Sequence, residues 1–160
     1  MFFDSLIVID MQELFETAED EVTQRNVIKE IRKAIDKENF IFVTEFRGCG
    51  PTLPIIMEEL KYYPKYKIIY KNFNDGSFDI FPNYFKEALP WERVTKNMHK
   101  DKVTIVGVNL KYCVWESALG LSLWKGFDVR IKLNACNDEK MPKNMDNFVK
   151  RAKLHGIKVI

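Results

Sequence analysis

Six short apolar runs recur along the chain: Leu6–Ile9, Phe40–Val43, Tyr66–Tyr70, Val103–Val106, Phe127–Ile131 and Ile157–Ile160. Several are apolar at consecutive positions instead of alternating, the pattern of strands covered on both faces. Between them the period lengthens to three or four residues. Val22, Ile28, Ile31 and Ile35 predict a helix over 22–38. Val114, Ala118, Leu121 and Trp124 predict one over 112–125, and Met145, Phe148, Ala152 and His155 one over 141–155, with Gly156 as its stop. The stretch from Gly48 to Tyr66 holds Pro51, Pro54 and Pro64 and reads as loop plus one short helix. Alternating strands and helices predict an α/β protein: a three-layer α/β/α, doubly wound fold around a six-stranded, mostly parallel sheet of order 3-2-1-4-5-6.

Composition narrows the function classes. The 160 residues are read as a single domain spanning 1–160, long enough to bury a core without staples. With 25 basic and 23 acidic residues interspersed, the net charge of +2 offers no basic stripe, and no nucleic-acid partner is expected. No apolar run approaches 18 residues, so no membrane partner is expected, and Met1–Asp4 does not open a signal peptide. The three cysteines, Cys49, Cys113 and Cys136, are odd in number and lack CxxC spacing, which argues against disulfides and structural zinc. Reduced thiols in a cytoplasmic protein are the simplest reading. Neither GxGxxG nor GxxxxGK[ST] occurs, so nucleotide binding has no support.

Ligands of open α/β sheets bind beyond the carboxyl ends of the strands. The first run ends in Asp10, the third in Lys71, and the fourth in Gly107-Val108-Asn109, with Cys113 opening the next helix. An acid, an amine and a thiol thus meet at one edge. A cysteine in a first helical turn, near an ammonium, is expected to favour the thiolate. A neighbouring carboxylate can move its proton, and free N–H groups at the helix start can hold an oxyanion. Each residue also has a plainer reading: a turn aspartate, a solvated lysine, a small buried hydrophobe. Their convergence favours chemistry. His99 and His155 are not placed for a Cys–His dyad.

Leu6-Ile7-Val8-Ile9-Asp10-Met11-Gln12 resembles the opening strand of the isochorismatase-like cysteine hydrolases, which include nicotinamidases and carbamoyl amidases. Gly107-Val108-Asn109-Leu110-Lys111-Tyr112-Cys113-Val114-Trp115-Glu116-Ser117-Ala118 resembles their nucleophile segment, and Lys71 with Ser77-Phe78 their lysine stretch. The resemblance implies a catalytic triad of Asp10, Lys71 and Cys113 and hydrolysis of a small amide through a Cys113 thioester. It further implies a cis peptide at Val108–Asn109 that aims the Asn109 and Cys113 N–H groups at an oxyanion. Three departures stand out. Thr44-Glu45-Phe46-Arg47-Gly48-Cys49-Gly50 lacks the histidine-bearing metal cluster of nicotinamidase relatives, so neither metal nor other cofactor is expected. Leu110-Lys111 replaces the family's Thr-Asp. The chain is also shorter than many relatives, which implies shorter loops over the pocket.

Around this triad, Glu45 and Arg47 are candidate pocket residues, Arg47 as a carboxylate clamp. Phe15, Phe73, Tyr112 and Trp115 are candidates for an aromatic wall. Cys49 and Cys136 read as bystanders, and Gly48-Cys49-Gly50 as a turn. Relatives often form homo-oligomers, for which Trp91, Tyr62 and Tyr63 are candidate interface residues. The alternatives to a metal-independent amidohydrolase are a retired relative that binds a small molecule or a protein, and a redox role for Cys113.

Overall fold

The computed structural model describes residues 4–82, 101–141 and 143–160; Trp91 and His99 lie outside the described residues. The six runs become strands β1 (Asp4–Ile9), β2 (Phe40–Phe46), β3 (Tyr66–Lys71), β4 (Lys102–Val108), β5 (Asp128–Asn137) and β6 (Lys158–Val159). They lie in the order β3-β2-β1-β4-β5-β6. Every neighbouring pair is parallel.

β1 shows why the apolar runs are continuous. Leu6 and Val8 enter one core with Val27, Ile31, Ile56 and Leu60. These last four come from α1 (Glu21–Asp36) and α2 (Pro54–Leu60). Ile7 and Ile9 enter a second core on the other face, with Ile80, Val114, Ala118, Leu121 and Ala152. That face is covered by α3 (Ser77–Ile80), α4 (Trp115–Leu123) and α5 (Asp146–Leu154). A strand buried on both sides has no polar face to keep, and its sequence loses the two-residue alternation.

Local signals set the helix ends. Asp20 caps α1, its carboxylate accepting from the Thr23 N–H at 2.7 Å. Pro54 opens α2 at a position that needs no N–H. Gly156, at φ +70°, closes α5 as expected. Two stripe residues differ from expectation: Val22 and Trp124 are exposed, each lying at the end of its helix. Among the candidate interface aromatics, Tyr62 is exposed, whereas Tyr63 is half-buried and donates its hydroxyl to the Asn39 carbonyl.

Candidate active site

The strand order reverses between β1 and β4, and the carboxyl ends of these two strands open the crevice where doubly wound sheets bind ligands. At this edge β4 runs against β1 with no room for a side chain at Gly107. Gly107 has φ +127°, and a Cβ there would stand 2.1 Å from the Ile9 carbonyl oxygen. Beyond the two strand ends, Asp10 (φ 52°) and Asn109 (φ 61°) both take the left-handed conformation. Strained non-glycine residues of this kind concentrate at functional sites.

Asp10 and Lys71 form a fully buried ion pair, Nζ to Oδ2 at 2.8 Å. The other carboxylate oxygen accepts from Thr44 Oγ1 at 2.7 Å, so β2, the strand between, braces the pair. Lys71 passes under Phe46, its ammonium 4.5 Å from the ring centroid. It also donates to the carbonyls of Phe73 at 3.1 Å and Asn74 at 3.5 Å. The carboxylate and the two carbonyls thus supply the partners that a buried ammonium needs.

Cys113 lies against this pair, near enough for both charges to act on its thiol, and its S–H is directed to Asn74 Oδ1 at 3.5 Å. It stands in a π-helical turn, Leu110–Val114, just before α4. Such turns are rare and recur at functional sites. The thiolate expected at a helix start is not the resting state. Burial, then the Asp10 charge, pushes the thiol up to about 12, with Lys71 opposing. The helix terminus and the ammonium are outweighed because the sulfur is almost wholly withdrawn from water and one neighbour is an anion. At neutral pH the Cys113 thiol therefore keeps its proton.

The expected cis peptide is absent: the Val108–Asn109 bond is trans, as are all others among the described residues. The chain turns into α4 through the left-handed Asn109 followed by the π-helical turn. The Asn109 carbonyl is held there by the N–H groups of Tyr112 at 3.0 Å and Val114 at 3.2 Å. The cis-dependent route by which the Asn109 N–H was to reach an oxyanion is withdrawn.

A cleft of about 370 Å³ opens over the thiol. Of the pocket candidates, Phe15 and Tyr112 line it, together with Asn109 and Cys113. Four candidates are elsewhere. The Glu45 carboxylate points into the strand–loop junction, accepting from Thr52 N at 2.8 Å and Thr52 Oγ1 at 2.7 Å. Arg47 lies over the Tyr70 ring, 5.5 Å from its centroid. Phe73 contributes its carbonyl to Lys71 while its ring is exposed. Trp115 is core, packed on Phe148 and under Arg151.

Sequence reasoning missed Phe46, Asn74 and Cys49 in the cleft wall. Phe46 ends β2 beside Lys71, and strand-end position could have signalled it. Cys49 is carried inward because Gln12 pins the turn that bears it, exchanging hydrogen bonds with Phe46 and donating to the Gly50 carbonyl. Asn74 had no sequence signal. Among the described residues no group of three His, Cys, Asp or Glu side chains converges to hold a metal. Near the end of β2 the Glu45 carboxylate is already committed to Thr52.

No family profile matches the chain. No curated protein sequence matches it either. Solved structures do. A nicotinamidase from Staphylococcus aureus superposes with a TM-score of 0.72 at 18% identity, covering 100% of both chains. A ribonuclease from Caenorhabditis elegans gives 0.70 at 22% identity over 98% of this chain and 75% of its own. An N-carbamoylsarcosine amidase from Thermoplasma acidophilum gives 0.69 at 14% identity over 99% and 95%. These likenesses show a shared fold.

Proposed function

We propose, from a fold shared with nicotinamidases and a carbamoyl amidase, that this chain is a metal-independent cysteine hydrolase cleaving the C–N bond of a small amide-type molecule. The observation that carries the reading is the buried Asp10–Lys71 pair touching the Cys113 thiol at the floor of a cleft. Asp10 takes the S–H proton as sulfur bonds to the substrate carbonyl carbon. The same proton passes to the departing nitrogen, which leaves as ammonia or an amine and leaves an acyl thioester on Cys113. Water, losing a proton to Asp10, then attacks the thioester, and the acid departs as sulfur regains its proton. Lys71 holds the Asp10 carboxylate in place and offsets negative charge gathering on sulfur. The Cys113 N–H is the backbone donor proposed for the oxyanion.

This order suits the resting state. A neutral thiol next to a base needs no standing thiolate; the proton moves as the bond forms. No metal enters the proposed cycle, since the Glu45 carboxylate near the end of β2 is bound to Thr52 and no histidine stands in the 44–50 stretch. The C. elegans ribonuclease supports the fold alone, for a thiol and carboxylate suit a carbonyl carbon better than a phosphodiester. The test is ammonia or amine release across a panel of small primary amides and ureido compounds, before and after dialysis against EDTA. Turnover that survives EDTA and disappears in Cys113→Ala supports the proposal. Tight binding without release across the panel supports the retired binding module instead.

A further inference from the structure

Asn74 has no part in the cycle above, yet it is bound on every side. Its Oδ1 lies 3.5 Å from Cys113 Sγ, as acceptor of the thiol. Its Nδ2 donates to Glu116 Oε1 at 3.2 Å. Its backbone carbonyl accepts from Ser117 Oγ at 3.2 Å and from Lys71 Nζ at 3.5 Å. Glu116 stands one helical turn beyond Cys113, on α4. A carboxylate only accepts, so the amide must give it the NH₂ and turn its oxygen to the sulfur.

We propose that Glu116 and Asn74 are a positioning pair for the Cys113 thiol: Glu116 fixes the amide, and Asn74 Oδ1 accepts the S–H, holding the sulfur protonated and unreactive until substrate arrives. An oxygen lone pair facing sulfur favours S–H and disfavours S⁻, whereas an N–H facing it would do the reverse. Two acceptors, Asn74 and Asp10, then compete for one proton. Asn74 is neutral and holds the proton without removing it; Asp10 removes it when a carbonyl is in place. Among the described residues the charged or titratable groups around the sulfur are Asp10 just beyond β1, Lys71 from β3, Glu116 through Asn74, and Cys49 and Tyr112 in the cleft wall. Only Glu116 sets the direction in which the Asn74 dipole points.

The experiment is alkylation of Cys113 by iodoacetamide, followed by peptide mass spectrometry between pH 7 and 10, in the full chain. Glu116→Gln lets the amide turn, since a glutamine can accept or donate. A fall of one unit in thiol pKa then speeds alkylation about threefold at fixed pH, the gain in thiolate being partly offset by its lower nucleophilicity. Asn74→Asp places an anion on the sulfur and slows alkylation several-fold. Opposite shifts in the two variants support the pair. Equal rates in both, or acceleration in both as a loosened cleft would give, overturn it. Thiolate absorbance at 240 nm, referenced to Cys113→Ser, reads the same ionisation without depending on access. Neither measurement involves amide turnover, so this inference and the proposed hydrolysis stand or fall separately.

Discussion

Replacing Lys71 with methionine is the most informative single perturbation, because it keeps the volume of a buried side chain and deletes its charge. The ammonium lies 2.8 Å from Asp10 Oδ2 with neither side chain exposed. At an effective dielectric of 20, opposite charges at that distance attract by about 6 kcal/mol. Desolvating the amine costs part of this, and methionine does not incur that cost, so the net loss on stranding Asp10 is about 3–5 kcal/mol. Thr44 Oγ1 remains as a donor to the carboxylate and places the loss toward the lower end. Asp10→Asn strands Lys71 in the same way, with the carbonyls of Phe73 and Asn74 as its remaining partners. The double variant leaves neither charge. It is expected to be more stable than either single variant, with a coupling of about 2 kcal/mol or more, while all three lack activity. Urea unfolding with unchanged m-values measures this directly. Single losses under about 1 kcal/mol, the range of solvated pairs, would refute the reasoning. Losses that simply add in the double variant would refute it equally.

Two further outcomes follow from the same geometry. Gly107→Ala drives a Cβ to within 2.1 Å of the Ile9 carbonyl oxygen at a φ of +127°. It is expected to cost more than about 4 kcal/mol or to abolish soluble expression, and a thermal midpoint within a few degrees of the parent contradicts the close approach. Burial pushes the thiols of Cys113 and Cys136 up to about 12, while unfolded thiols ionise near 8.5. Between about pH 9 and 12 the folded state binds the extra protons, so stability falls as pH rises, by up to about 1.4 kcal/mol per unit and per thiol. Cys136→Ala should flatten that slope whatever it does to stability at pH 7; an unchanged slope counts against the buried thiol.

The sheet was legible because burial on both faces writes itself into β1 and β2 as unbroken apolar runs, and because the alternation with helices leaves few topologies. The three catalytic candidates were legible for a related reason: strand ends are where an open sheet displays side chains, and Asp10, Lys71 and Cys113 all follow from that position. The cleft wall was not legible. Glu45 and Arg47 sit one and three residues beyond Thr44, yet strand pleating and a turn direct them to Thr52 and Tyr70, a choice fixed by tertiary partners. Asn74 and Cys49 enter the site on loops held by Ser117 and Gln12, contacts more than 35 residues away in sequence. The proton on Cys113 was misjudged because a helix start and a lysine are visible in a sequence, whereas the depth of burial and the nearness of Asp10 are properties of the fold.

The account rests on sulfur becoming acylated. An amide that turns over, mixed with the enzyme and quenched in acid within milliseconds to seconds, is predicted to leave an adduct on Cys113 with the mass of its acyl group. That adduct should be removed by hydroxylamine and absent from Cys113→Ser. Release of ammonia at an undiminished rate by Cys113→Ala, with no acyl mass on any cysteine of the parent, would contradict it.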